Sequence, residues 1–230
     1  YDSNRYTVFG LLTRMGCEVI DLGVVRDEPA LLEAAFTQAA AQADAIITSG
    51  GVSVGEADFT KTMMKQLGDV AFWRIAMRPG RPMAVGRISG LKTATSQRGL
   101  DKVRYQSGND QPHSAVLFGL PGNPVAVMVT FLAFVRPALR RMMGCTAAPP
   151  PLLKARSAEA IRKKPGRTEY QRGTVSTAPD GTLSVRTTGS QGSGVLRSMV
   201  QGNGLIVLHH DQGNVAAGDA VDVMMFDGVI

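Results

Sequence analysis

The chain has 230 residues, a formal net charge of +6 and a mean hydropathy of +0.01. Apolar residues make up 44% of it, and it contains 26 Gly and 12 Pro, a composition that is typical of a globular protein and excludes a low-complexity chain. The longest apolar run, Val125–Val135, is interrupted by Thr130 and falls short of the ~20 apolar residues of a membrane span. We therefore expect no membrane partner.

The positive charge favours anionic partners. The arginines are scattered or lie in turns, and no basic stripe with interleaved aromatic residues is found, so we do not expect nucleic acid among them. Cys17 and Cys145 lie far apart, without CxxC spacing or a neighbouring histidine, which argues against a disulfide or a zinc site and fits the cytoplasm. The chain opens on Tyr1 without a signal peptide, and we expect it to be the C-terminal part of a longer protein.

Strand and helix patterns alternate over residues 1–148. Asp2 or Ser3 is a suitable N-cap for the first helix, and Pro29 is a suitable first residue for the second. The alternation predicts an α/β domain with a parallel or mixed sheet, helices on both faces and ligands at the carboxyl ends of the strands. The predicted strands are Glu18–Val25, Ala45–Thr48, Val70–Met77, Met83–Ile88 and Val116–Leu120, and the predicted helices cover residues 3–15, 29–43, 58–68 and 124–143.

The pattern changes after the run Ala147–Pro151. Short β-rich segments, separated by turn sequences such as Pro179-Asp180-Gly181, predict a small all-β domain of barrel or sandwich type over residues 149–230. The polar stretch Gly90–Ser114 is expected to be a long loop inserted into the domain, and no functional residue is predicted in it.

A glycine-rich loop leaves the predicted strand Ala45–Thr48 and leads into a helix. Ser49, Gly50, Gly51 and Ser53 can cradle a phosphate, because glycines let main-chain N–H groups converge on an anion and the following helix adds its positive end. Asp58 would repel that phosphate unless a divalent cation lay between them, so it is a candidate Mg²⁺ ligand. A simple helix N-cap is the open alternative for Asp58.

A second turn from strand to helix contains Pro121, Gly122, Asn123 and Pro124. Asn123 fits an N-cap and Pro124 the first helical position, so a well-made helix start would explain the whole sequence. The functional interpretation depends on position, because in an α/β sheet this loop and the glycine-rich loop leave at the same edge.

Charged residues are expected at that edge as well. Asp27 follows the strand Glu18–Val25 and could form a metal-binding pair with Asp58, or it could cap the helix at Pro29. Arg78 and Arg81 lie in a Pro-Gly turn, which suits the binding of a tetrahedral oxyanion, although a solvated surface turn is the alternative.

Three segments taken together, Thr48–Lys61, Arg78–Pro82 and Gly119–Val125, resemble the molybdopterin molybdenumtransferases, that is, the bacterial MoeA-type proteins and the C-terminal half of gephyrin. Gln171-Arg172-Gly173 and Gln191-Gly192-Ser193 also occur where that family has them, and the resemblance covers nearly the whole chain. It implies a MogA-like molybdopterin-binding domain followed by a small β-barrel-like domain.

The resemblance further implies a homodimeric enzyme that takes molybdate and adenylylated molybdopterin and releases AMP with the help of Mg²⁺. In this interpretation Asp27 and Asp58 serve the metal and the pyrophosphate, and Pro121 and Pro124 shape the pocket. The residues that would surround molybdate or the pterin phosphate are Arg78, Arg81, Arg172 and Ser193.

Two features differ from the family. Its members usually carry lysine where this chain has Arg74, Arg78 and Arg81, and their upstream segments are absent here, so catalytic completeness is left open. Two other functions also stay open. One is a related adenylyltransferase that activates molybdopterin with ATP, although the predicted β domain argues against it. The other is a non-catalytic scaffold like gephyrin.

Overall fold

The structure is a computed structural model that describes residues 2–52, 59–89, 114–148 and 151–226. Ser53 and Asp58 of the glycine-rich loop lie outside the described residues, as does nearly all of the stretch Gly90–Ser114. Within the described ranges, every helix is too short or too polar to cross a bilayer.

The helices begin where the capping residues predict. Asp2 caps the first helix by accepting a hydrogen bond from the Arg5 amide at 3.2 Å, and Pro29 and Pro124 are the first residues of two others. The predicted helix over residues 124–143 is a continuous run whose middle, Phe131–Val135, has wider π-helical turns. The helices are α1 (Ser3–Arg14), α2 (Pro29–Gln42), α3 (Phe59–Leu67), α4 (Pro124–Thr130), α5 (Arg136–Met142) and α6 (Arg197–Gln201).

The first sheet is mixed, so the prediction of a parallel sheet is only partly correct. Its strands are β1 (Ala45–Ser49), β2 (Gly68–Arg74), β4 (Pro82–Ser89) and β5 (Ser114–Leu120), in the order β1-β5-β4-β2. β1 and β5 are parallel, whereas β4 runs antiparallel to both of its neighbours. Residues 75–81 are too few for the crossover of about a dozen residues that a parallel pair of β2 and β4 would need.

The predicted strand Glu18–Val25 is wrong for this structure. These residues form an irregular connection between α1 and α2, and no strand of the described residues pairs with them. Ile20, Leu22 and Val24 are exposed there. The composition is that of a strand, but a strand needs a neighbour with which to exchange hydrogen bonds.

Two apolar cores cover the two faces of the first sheet. The first core contains α1, α4 and the π-helical turns around Phe131, and the second contains α2 and α3 around Met64. Neighbouring residues of β1 divide between them, since Ile46 belongs to the second core and Ile47 packs against the first. Helices on both faces of the sheet are thereby confirmed.

The C-terminal half is a closed five-stranded barrel. Its sheet order β7-β8-β6-β10-β9 closes through an additional pairing of β7 with β9. A two-residue strand of the first half, β3 (Met77–Arg78), extends this sheet by pairing in parallel with the start of β7. Leu205 and Met199 belong to the first core, so the two halves share packed apolar surface. The barrel strands are β6 (Leu153–Ser157), β7 (Thr168–Thr177), β8 (Leu183–Thr187), β9 (Gly204–Leu208) and β10 (Ala220–Met225).

Candidate functional site

The glycine-rich loop and the proline-bearing loop leave the sheet side by side. Ser49 at the end of β1 is in register with Leu120 at the end of β5, and the next residue, Gly50, donates its N–H to the Leu120 carbonyl at 3.0 Å. Because the two strands are parallel neighbours, both loops open onto the same edge. We call this edge, formed by residues 49–51 and 121–124, the rim.

Gly51 brings the rim against the start of α3. Its φ is +68°, and a Cβ atom there would lie 2.5 Å from Cγ2 of Thr60. Both the positive φ and the close approach require glycine. Thr60 is the second residue of α3, so Gly51 lies against the amino end of that helix.

Asp27 reaches the same helix end. Its Oδ1 accepts hydrogen bonds from the Thr60 amide at 3.2 Å and from the Thr60 hydroxyl at 3.1 Å. Asp27 therefore stabilises the start of α3, and Glu28 is the N-cap residue of α2, so the prediction that Asp27 caps the helix at Pro29 is wrong. Its Oδ2 takes no hydrogen bond from a described residue and remains available to a ligand.

Asn4 contacts the rim, although nothing in the sequence spacing singles it out. Its side-chain amide donates to the Gly122 carbonyl at 2.7 Å, while its Oδ1 is buried without a hydrogen-bond partner among the described residues. Its place in the first turn of α1 is the one signal that could have identified it. The amino ends of α1, α3 and α4 thus converge at the rim, and the partial positive charge of such ends favours an anion.

Arg172 is the largest fully buried side chain, with 1% of its surface exposed. Its Nε donates to the Ser198 hydroxyl at 2.9 Å and its Nη2 to the Gly192 carbonyl at 3.0 Å. No described carboxylate pairs with it. Burial, followed by the charge of Arg78, lowers the pKa of Arg172 to about 10, so it remains a cation at neutral pH.

Ser193 connects Arg172 to the rim. The side-chain amide of Asn123 donates to the Ser193 hydroxyl at 3.0 Å, and the main-chain amide of Val125 donates to the Ser193 carbonyl at 3.1 Å. Gln191 fixes the same loop, because its Oε1 accepts from the Arg172 main-chain amide at 2.8 Å. The barrel loop 189–193 therefore docks on the start of α4 while it wraps around the arginine.

Arg78 and Arg81 lie in a turn that presses on α4. Gly80 between them has a φ of +95°, and a Cβ there would lie 2.4 Å from the Thr130 hydroxyl. Arg78 is exposed and near enough to Arg172 to lower its pKa. The Arg81 side chain makes no contact with a described rim residue. Of the two arginines in this turn, the structure therefore brings only Arg78 near Arg172.

A metal centre made by protein ligands alone is not present in the described ranges, where no group of three or more His, Cys, Asp or Glu side chains could hold an ion. Mg²⁺, however, commonly takes one or two carboxylates and completes its shell with water and substrate phosphates. Asp27, whose Oδ2 takes no hydrogen bond from a described residue, lies at the amino end of α3, which favours an anion, and this fits the second arrangement.

These features define a class: an α/β protein in which helix amino ends meet at one edge of the sheet, with a barrel whose loop 189–193 contacts a buried arginine and docks on that edge. Residues 1–141 match the family described as a probable molybdopterin binding domain, and residues 154–226 match the MoeA C-terminal region (domain IV). The chain belongs to the molybdopterin-binding domain family, which confirms the resemblance drawn from its motifs.

Named relatives agree. The chain is similar to a molybdopterin molybdenumtransferase of Haemophilus influenzae, at 39% identity over 100% of this chain and 51% of that protein. A molybdopterin molybdenumtransferase of a Nostoc species is 33% identical over 97% of this chain and 47% of that protein. The fold is similar to that of a MoeA protein from Pyrococcus horikoshii, with a TM-score of 0.70 at 24% identity over 98% of this chain and 48% of that one. The chain spans about half the length of the curated relatives it matches.

Proposed function

We propose that this chain carries out the last step of molybdenum cofactor synthesis, in which molybdate is transferred to adenylylated molybdopterin and AMP is released. The observation that carries the proposal is the buried Arg172, which has no carboxylate partner among the described residues and whose pKa is lowered by burial and then by the charge of Arg78. Two cations held together without an acidic partner are expected to bind a dianion such as molybdate. The names of the relatives support the same reaction.

The rim is proposed to bind the phosphates of the pterin substrate. The main-chain amide of Gly51 and the amino ends of three helices offer donors that need little reorganisation when an anion arrives. Pro121 and Pro124 hold the neighbouring loop rigid. Ser49 and Ser53 are proposed to add hydroxyl donors, and Gly122 and Asn123 to border the phosphate.

Asp27 and Asp58 are proposed to hold Mg²⁺ against those phosphates. The cation would neutralise charge on the phosphate oxygens as the adenylyl bond breaks. Asp27 contributes through its Oδ2, which takes no hydrogen bond from a described residue, while its Oδ1 stays on Thr60. We propose in addition that Arg81 adds to the positive electrostatic potential at the molybdate site. The protein is proposed to act in the cytoplasm as a homodimer. Its two domains are proposed to cover residues 1–148 and 149–230.

The molybdenumtransferase fits better than the two alternatives. An adenylyltransferase confined to the α/β half would leave unexplained why the barrel loop that contacts Arg172 also binds Asn123 through Ser193. A non-catalytic scaffold would give no reason to bury an arginine without an acidic partner, because desolvation of a charge is costly.

A chimera tests the proposal. This chain would replace the matching part of the Haemophilus influenzae relative in a bacterial strain that lacks the molybdenum-inserting step, and the activity of a molybdenum enzyme would be measured. We expect the chimera and an Arg186→Gln control to restore activity and Arg78→Gln to fail. Arg186 is an exposed arginine of β8, away from the rim. Restoration by Arg78→Gln at the control level would contradict the proposal.

A further inference from the structure

Trp73 is the one tryptophan of the chain, and it is 59% exposed near the end of β2. Among the described residues, its indole takes part in no hydrogen bond or cation–π contact. Neighbouring Phe72, by contrast, packs against the second core and has the ammonium groups of Lys61 and Lys65 over its ring, at 5.1 and 5.7 Å. A single exposed apolar residue needs no explanation by itself, so the position of Trp73 in the sheet decides its significance.

Strand register places Trp73 level with the rim. β4 is antiparallel to both of its neighbours, so β2 runs parallel to β1 and β5, and its carboxyl end lies at the same edge of the sheet as theirs. One row of successive Cα partners crosses β1, β5, β4 and β2, and it consists of Thr48, Gly119, Ala84 and Phe72. Trp73 follows Phe72 as Ser49 follows Thr48. Trp73 and Ser49 therefore lie in the next row, at the rim edge.

Trp73 also lies on the face of the sheet where two rim helices begin. Alternate residues of a strand face opposite sides, and Phe72 is on the side of the second core. Trp73 is thus on the side of the first core, to which its Cα partner Met83 belongs. α1 and α4 are on that side, and the amino ends of both meet where Asn4 donates to Gly122. The indole and these two helix ends share one face of one edge.

The distance between Trp73 and the rim is within the reach of a nucleotide. Two strand spacings, roughly 10 Å, separate β2 from β5, and residues 121–124 follow directly after β5. A phosphate bound at that loop would carry its attached base over a distance of the same order. β2 leads into the turn that contains Arg78 and Arg81, and Arg74 is exposed beside the indole. An anionic ligand that also carries a flat ring fits this arrangement.

We propose that Trp73 is the stacking surface for a fused heteroaromatic ring of the phosphate-bearing substrate. Indole can stack on any such ring, because every one presents a π-face. The inference rests on the proposed function, whose substrate carries two such rings, the pterin and the adenine. Trp73 holds one of them while the phosphates bind at the rim, so it positions the substrate and takes no part in bond breaking.

Because the chain has a single tryptophan, its fluorescence reports on this residue alone. The chain would be titrated with AMP and with ribose phosphate, which has the sugar and the phosphate without the base. We expect AMP to quench the emission of Trp73 and to bind at least about tenfold more tightly than ribose phosphate.

Neopterin monophosphate, titrated by calorimetry, distinguishes the pterin from the adenine as the stacked ring. A preference over ribose phosphate that is found only with AMP assigns the adenine, and one found only with the neopterin ester assigns the pterin. If neither ring-bearing probe binds more tightly than ribose phosphate, the proposal is overturned.

Substitutions locate the effect. Trp73→Leu removes the indole, whereas Phe134→Leu removes an exposed aromatic ring in the middle of the helical run that begins at the rim. Calorimetry should show the preference for a ring-bearing probe falling to about twofold or less in Trp73→Leu. Trp73→Phe should keep most of it, and Phe134→Leu all of it. A preference that survives Trp73→Leu would contradict stacking at this residue.

The result is separate from that of the proposed reaction. The preference compares probes with the same kind of phosphate and without molybdate, so it does not depend on whether Arg78 and Arg172 bind that oxyanion. A chain that prefers the ring-bearing probes and fails to bind molybdate would contradict the reaction and leave the stacking surface in place. The opposite pair of results would overturn the stacking surface alone.

Discussion

Arg78 and Arg172 carry like charges close enough together that Arg78 contributes to the lowered pKa of Arg172. The first arginine reaches this place because β3 pairs with the start of β7, and the second lies on the same face of β7 as Tyr170, which packs against the first core. Neither the α/β half nor the barrel half contains both arginines. The proposed oxyanion site is therefore a product of the packing between the halves.

The hydrogen bond between Asn123 and Ser193 holds that packing in place. Asn123→Ala removes a contact of 3.0 Å between the start of α4 and the loop around Arg172. We expect the free energy of unfolding to fall by about 1 kcal/mol and the affinity for molybdate to fall as well. Urea denaturation measures the free energy of unfolding and calorimetric titration measures the molybdate affinity, with a substitution of an exposed residue, Ser176→Ala, as the control. Unchanged molybdate affinity in Asn123→Ala would show that this loop does not position the arginine.

The two glycines of the rim are expected to differ in their tolerance of alanine. Gly51 has a φ of +68° and a Cβ clash with Thr60 at 2.5 Å, whereas a Cβ at Gly122 would meet nothing within 4 Å. Gly51→Ala should lower the free energy of unfolding by about 1–3 kcal/mol, and Gly122→Ala should lower it by less than about 1 kcal/mol. Thermal unfolding of both variants measures this difference in stability, and similar midpoint temperatures would contradict the geometry of the rim.

The barrel contains a buried cation of a different kind. Lys163 is 4% exposed, and its ammonium donates to the carbonyls of Gln212 at 2.8 Å and of His210 and Lys164 at 3.3 Å. Lys163→Met removes a donor from all three carbonyls, of which only that of His210 keeps another, the Gly166 amide, and it should cost about 2–4 kcal/mol of unfolding free energy. Lys164→Met, whose side chain is exposed, is the matched control and should cost less than about 0.5 kcal/mol. Equal costs would indicate that the ammonium is not a structural link.

Acid should weaken the barrel through Asp222. Hydrogen bonds from Lys154 and then His209 hold the pKa of the Asp222 carboxyl below its usual range. A carboxyl with a lower pKa in the folded chain stabilises it above the unfolded value of about 3.9, and this stabilisation is lost as the pH falls through the folded value. Asp222→Asn should therefore lower the free energy of unfolding by about 0.5–1 kcal/mol at pH 7.

The difference between wild type and Asp222→Asn should shrink as the pH falls below about 3.9. Denaturation curves across this range measure it, with exposed Asp211→Asn as the control. A difference that stays constant down to pH ~2 would rule out titration of Asp222 as its source.

Local signals explain what the sequence predicts correctly. Asp2, Pro29 and Pro124 mark helix starts through capping and backbone preference, and these depend on neighbours within one turn. The loops after β1 and β5 follow from the same local patterns together with the rule for parallel strands. Those elements could be placed from residues alone.

Non-local contacts explain what the sequence does not predict. Glu18–Val25 has the composition of a strand, but pairing depends on a neighbour that composition does not reveal. Spacing does not single out Arg172 either, because its partners Ser190, Gly192 and Ser198 come together only when the barrel closes. The antiparallel course of β4 is likewise a matter of connection length and not of strand composition.

Calorimetric titration of molybdate tests the central claim, that Arg78 and Arg172 together bind a tetrahedral oxyanion. Wild type, Arg78→Gln and the control Arg186→Gln would be titrated at low ionic strength, where charge effects are largest. We predict that Arg78→Gln binds molybdate at least about tenfold more weakly than wild type, a difference of about 1.4 kcal/mol, and that Arg186→Gln binds as wild type does. Equal affinities in all three proteins would contradict the account.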